Sequence, residues 1–161
     1  MTNRFDTITL RPDQVQFFID HAMGIFLFLV FVILAGTEVC GIRPFALGAV
    51  LFLGFYLLYE YASLRRMVFI ITSETLVCDQ GVFYRDSDFI ELYRVVDFQE
   101  RHTLLQQMLG VKTVIVYSGD RTTPKLLIPG ISHRVDLVGE LRARVEYNKT
   151  RRGVYEITNR F

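Results

Sequence analysis

Five cations crowd positions 142–152: Arg142, Arg144, Lys149, Arg151 and Arg152. Two more, Arg65 and Arg66, follow a long apolar stretch. A Lys or Arg beside a surface of anionic lipid gains about 1 kcal/mol of attraction, so these seven residues are the candidate membrane-surface contacts. The competing assignment for 142–152 is a solvated helix end, where cations suit the negative pole of the dipole. Ionisable groups inside a bilayer mark ion or proton paths, which draws attention to Asp20, His21, Glu38 and Glu60 at the margins of apolar runs. All four stand within a turn or two of a boundary where side chains reach water, so they read as boundary residues. Glu38 and Glu60 are retained as candidate intramembrane polar contacts.

Other chemistry is not supported by residue type and spacing. Ser118, Ser132 and Cys78 have no adjacent motif supplying a base, and no GxSxG, P-loop or HExxH string occurs. His102 reads as the residue ahead of a short helix, and Asp86, Asp88 and Glu91 as a solvated hairpin tip. His21, His102 and His133 are scattered singly, and Cys40 and Cys78 form no CxxC pair, so neither a metal nor a cofactor is expected. The two cysteines read as free thiols on opposite sides of a bilayer. No enzymatic activity is expected. The net charge of +1 argues against nucleic acid as a partner.

These side chains need elements to hold them, and the apolar residues are distributed unevenly. Residues 22–36 read AMGIFLFLVFVILAG and residues 44–59 read PFALGAVLFLGFYLLY, apolar on every face of a helix. Such helices must be buried completely or lie in lipid, and a chain of 161 residues has too little protein left to bury two of them. Each core is short of the ~20 residues that cross ~30 Å of hydrocarbon, so Phe17, Phe18 and Ile19 are expected to extend the first span. Val39 and Ile42 would cap it, and Tyr56, Tyr59 and Tyr61 would form an interfacial belt at the exit of the second. Arg4 and Arg11 are outnumbered by Asp6, Asp13 and Asp20, which does not suit a cleaved signal peptide. Only residues 37–43 separate the spans, so they form an antiparallel hairpin. Arg4, Arg11, Arg65 and Arg66 flank the outer ends against Arg43 alone in the loop, which puts both termini in the cytoplasm.

Beyond Arg66 the texture changes to short β-prone runs. Strands are expected at 67–72, 75–79, 82–85, 89–92, 95–101, 111–118 and 125–128, with hairpin turns at Gly81 and at Gly119-Asp120. Thr103 and Gln106 have capping-box spacing ahead of Gly110, which marks a two-turn helix containing Leu104, Leu105, Met108 and Leu109. A longer helix is expected from Ser132, its N-cap, to Tyr147, with Val135, Val138, Leu141 and Val145 along one face. Thr158–Phe161 repeats Thr2–Phe5 verbatim, a hint that the termini pair with a neighbouring sheet edge.

Seven strands followed by a capping helix, with Phe69, Ile71 and Thr72 in an entry strand and Gly81 at a hairpin, resemble the bacterial pleckstrin-homology-like (bPH) domains of small membrane proteins. Ile90, Leu92, Val95, Gln99, Leu105, Leu109 and Gly110 continue the resemblance, which spans residues 17–147 and includes a two-helix membrane hairpin. It implies an α+β membrane protein with a transmembrane helical hairpin, then a PH-like seven-stranded β sandwich or barrel capped by a C-terminal helix. The turn Ser73-Glu74 lacks the basic loop by which eukaryotic pleckstrin-homology domains hold phosphoinositides, so that ligand is not implied. The expected division is a cytoplasmic segment over 1–16, the hairpin over 17–64, the domain over 65–148 and a basic tail over 149–161. The expected role is a binding or scaffold module on the cytoplasmic face of a bacterial inner membrane, with the lipid bilayer and a protein partner or a second copy as partners. Alternatives are an adaptor that senses anionic lipid through the basic tail, and an accessory subunit of a transporter or enzyme that would depend on Glu38 or Glu60.

Overall fold

In the computed structural model, residues 5–37 and 41–153 are described. Strand β1 (Ile8–Leu10) leads to helices α1 (Val15–Asp20), α2 (Ala22–Ala35) and α3 (Ile42–Arg66). Strands β2 (Val68–Ile71), β3 (Thr75–Gln80) and β4 (Asp86–Glu91) follow, then a 3₁₀ turn at Leu92–Arg94 and β5 (Val95–Arg101). The chain closes with α4 (Leu104–Leu109), β6 (Val111–Ser118), β7 (Lys125–Ser132) and α5 (Leu137–Arg152).

α2 has no buried residue and α3 buries only Ala46, so the apolar surface of this antiparallel pair faces outward. The two helices approach at glycines: a Cβ on Gly24 would touch Leu57 at 3.5 Å, and one on Gly54 would touch Phe28 at 3.4 Å. Small residues permit such close packing between apolar helices. α3 is long and apolar enough to cross a membrane, judged by length and composition, whereas α2 is a shorter apolar helix of 14 residues. The expected extension of the first span through Phe17 is corrected. His21, with φ −110° and ψ 17°, interrupts the helix, and Phe17 turns inward with Gln16 instead of continuing the apolar cylinder.

The seven strands form two antiparallel sheets, β1-β2-β3-β4 and β5-β6-β7. No ladder joins them among the described residues, so a single closed barrel is not formed. Both sheets face one core: Phe69, Ile71, Leu76 and Ile90 from the first meet Val114, Val116 and Ile128 from the second, and Leu137, Leu141 and Val145 of α5 complete it. Alternation explains the β2–β3 pair, where Phe69 lies opposite Cys78 and Ile71 opposite Leu76 on the inward face.

Four boundaries differ from the expectation. Ile8–Leu10 pairs with Phe69–Ile71, so these three residues of the N-terminal segment form an edge strand of the first sheet. Residues 82–85 turn instead of forming a strand, and the strand expected at 89–92 is β4, which takes in Asp86, Asp88 and Glu91 that were expected at a hairpin tip. Gly81 sits at φ 111°, and a Cβ there would fall on the Tyr84 carbonyl oxygen. The last helix starts at Leu137, because β7 continues to Ser132 and Asp136 is the cap, its Oδ1 accepting from Gly139 N at 3.0 Å. The capping box of α4 forms as expected, with Thr103 Oγ1 accepting from Gln106 N and Gln106 Oε1 accepting from Thr103 N.

Candidate functional site

Where α3 ends, the chain enters β2 with Met67 as the single intervening residue. β3 returns antiparallel to β2, with Asp79 opposite Val68, so the β3–β4 loop lies beside the last turn of α3. Arg65 and Arg66 occupy that turn, where cations complement the helix dipole. Between the helix end and the loop is a cavity of about 500 Å³ lined by Arg11, Arg65, Arg66, Arg85, Asp79 and Phe83 among others. Arg85 donates to Asp79 Oδ2 at 2.5 Å and Ser87 Oγ donates to Asp79 Oδ1 at 2.6 Å. The Ser87 hydroxyl first, and then Arg85, hold the Asp79 carboxyl below its ordinary range. Phe83 stacks on Tyr59 of α3 with centroids 6.1 Å apart and planes 12° apart. Even so, Phe83 is 83% and Tyr84 86% exposed.

The seven candidate cations do not converge. Arg144 is withdrawn from the surface set: it is 2% exposed and donates to Thr72 O at 3.0 Å and Asp6 O at 2.8 Å, beneath the Phe5 ring. It ties α5 to the β2–β3 turn and to the N-terminal segment. Arg151 pairs with Glu74 at 2.7 Å, and Arg152 stacks 4.2 Å over the Tyr93 ring. Glu74 lies in the β2–β3 turn, so Arg151 stands at the opposite end of β2 from Arg65 and Arg66. Arg142 and Lys149 lie on α5 as well, Arg142 exposed and Lys149 half-buried. The structure therefore keeps Arg65 with Arg66 and separates both from the α5 cations.

Glu60 lies 3.9 Å from His21 at the break between α1 and α2, beside Phe17 and Pro129. Glu38 and Cys40 lie outside the described residues, as do both copies of the terminal repeat apart from Phe5. His102 and His133, distant in sequence, come within 3.2 Å of each other, with Glu100 3.6 Å from His102. Among the described residues no group of three potential metal ligands converges.

Sequence reasoning missed Arg11, Arg85, Phe83 and Tyr84. The signal was present in Gly81-Val-Phe-Tyr-Arg85, a glycine followed by two aromatics and a cation, but β propensity made it resemble a strand. It also placed Leu104, Leu105, Met108 and Leu109 without saying which way they face. They point outward, Leu104 79% and Met108 83% exposed, while Gln106 is buried against α1.

Two antiparallel sheets around one core, closed by a terminal helix, make up the domain that follows the apolar helix pair. A model of the bacterial PH domain family matches residues 24–149, from within α2 to near the end of α5, and the chain belongs to that family. No curated protein and no solved structure matches it.

Proposed function

We propose that the chain is a membrane-anchored, non-catalytic scaffold. Its PH-like domain is held at the cytoplasmic face of a bacterial inner membrane and docks a protein partner or a second copy of itself. The observation that carries this reading is the direct fusion of α3 to β2. An apolar 25-residue helix with one buried side chain enters the domain through Met67 alone, so anchoring α3 in lipid sets the domain against the surface. Away from the seam between them, α2 and α3 leave their apolar surface exposed, as lipid solvation requires.

The outward face of α4 supports the docking half of the proposal. Leu104, Leu105, Met108 and Leu109 form an apolar patch on a helix fixed from beneath by Gln106, and rigid exposed apolar patches mark interaction surfaces.

Alkaline extraction of membranes expressing the full chain, followed by native mass measurement in mild detergent, tests both halves. The chain should stay in the pellet, and its complex should exceed the mass of one chain. Leu104→Ser with Met108→Ser should return the mass to that of a single chain. Release into the alkaline supernatant, or a single-chain mass before substitution, would overturn the proposal.

A further inference from the structure

We infer that the cavity between the last turn of α3 and the β3–β4 loop holds the phosphate of an anionic phospholipid, with Phe83 and Tyr84 inserted in the bilayer beside it. This inference rests on the membrane-anchored reading and names a ligand for the junction.

Charge is the first ground. Arg11, Arg65, Arg66 and Arg85 come from the β1–α1 segment, the α3 terminus and the β3–β4 loop to line one cavity of about 500 Å³. Asp79 is the carboxylate in that lining, and it is engaged by Arg85 and Ser87. The cavity therefore keeps an excess of positive charge. Planar guanidinium groups suit phosphate oxygens because they donate paired hydrogen bonds.

Depth is the second ground. Arg65 and Arg66 lie six and seven residues beyond Tyr59, roughly 9 and 10.5 Å along the helix axis at about 1.5 Å per residue. Tyr59 ends the charge-free core of the helix, and the headgroup layer outside the hydrocarbon is about 5–8 Å thick on each side. The arginines thus stand at the outer edge of the headgroup layer, from where their long side chains reach back to the phosphates. Phe83, stacked on Tyr59, hangs below them at the hydrocarbon boundary, where exposed aromatic rings are favoured.

Continuity decides between a lipid and a free anion. Gly81, Val82 and Phe83 line both the cationic cavity and a second one shared with Tyr59, Tyr84 and the exposed Asp86. A cationic chamber opening beside an aromatic groove along an apolar helix matches an amphiphile, with phosphate above and acyl chain below. A free phosphate has no use for the lower part.

The test is native mass spectrometry of the full chain released from nanodiscs of equimolar phosphatidylcholine and phosphatidylglycerol. Phosphatidylglycerol should be enriched on the chain, and the enrichment should fall about fivefold for each arginine lost in Arg65→Gln and Arg66→Gln. Arg142→Gln with Arg152→Gln should leave it unchanged, and Arg66→Lys should retain most of it. Phe83→Ser with Tyr84→Ser should lower retention of lipid of either headgroup. Excess inorganic phosphate should not displace the lipid; displacement would reassign the cavity to a soluble anion and overturn the inference. Equal retention of the two lipids by the native chain would overturn it while leaving the anchored reading intact. Failure of the chain to enter nanodiscs would overturn both.

Discussion

Gln106 of α4 donates through Nε2 to Oε1 of Gln16 on α1, a buried hydrogen bond of 3.0 Å between residues 90 positions apart. The same amide nitrogen donates to Thr113 Oγ1 at 2.8 Å, while its oxygen accepts from Thr103 N at 3.0 Å. One side chain caps α4, fixes it to β6 and joins it to the helix that precedes the apolar pair.

Gln106→Leu removes the reciprocal half of the cap and leaves Gln16 Oε1 buried without its donor. The expected cost is about 2 kcal/mol of stability. A lowered thermal midpoint of the full chain in detergent checks this, and an unchanged midpoint contradicts the assigned role.

Arg144 and Arg142 are two residues apart on α5 and should behave oppositely. Arg144→Ala strands the carbonyls of Thr72 and Asp6 and opens space beneath Phe5, a loss on the order of 3 kcal/mol. Arg142→Ala, at an exposed position, should stay within about 0.5 kcal/mol of the native chain. Parallel denaturant titrations compare the two directly.

Cys78 faces the core opposite Phe69, and burial first, then the charges of Asp88 and Asp79, push its thiol up from 9.0 to about 11. Its thiolate fraction at pH 8 is then roughly a hundredfold below that of an unperturbed thiol, so maleimide labelling in a Cys40→Ser background should be correspondingly slow. Because the folded value is the raised one, this residue's contribution to stability is intact below pH 9 and is lost as pH climbs from 9 towards 11. Rapid labelling of the native domain would contradict the burial.

Gly130 has φ +67°, and its carbonyl accepts from Asp13 N at 2.9 Å. A Cβ there would stand 2.9 Å from Asp13 N and 3.0 Å from Gln16 Cβ. Gly130→Val should therefore lift α1 off β7. Hydrogen exchange is the measurement: amides of 13–21 should lose protection while those of β6 keep theirs.

Local chemistry made some of this legible in the sequence. The Thr103–Gln106 box and Gly110 cap were readable because all their interactions fall within eight residues. β1 was not readable, since Ile8-Thr9-Leu10 is a strand only through pairing with β2, about sixty residues on. The strand expected over 125–128 continues to Ser132, because α1 packs against Pro129-Gly130 and a glycine in the left-handed region keeps the strand going. At the junction, Arg65 and Arg66 were visible from their place after an apolar run. Arg11 and Arg85 were hidden because only the pairing of β1, β2 and β3 brings them to the end of α3. Arg144 was misjudged because a buried arginine is rare and its carbonyl partners come from turns far away in the chain.

With one residue between α3 and β2, the heading of the domain is counted in helical steps. Adding a single alanine ahead of Arg65 would swing everything beyond it by about 100° and lift it about 1.5 Å. Four would nearly restore the original bearing, one helical repeat higher. The seat of α1 on β7 opposes any such swivel, since the Asp13 N–Gly130 O bond clamps the domain at a second point away from the α3–β2 junction.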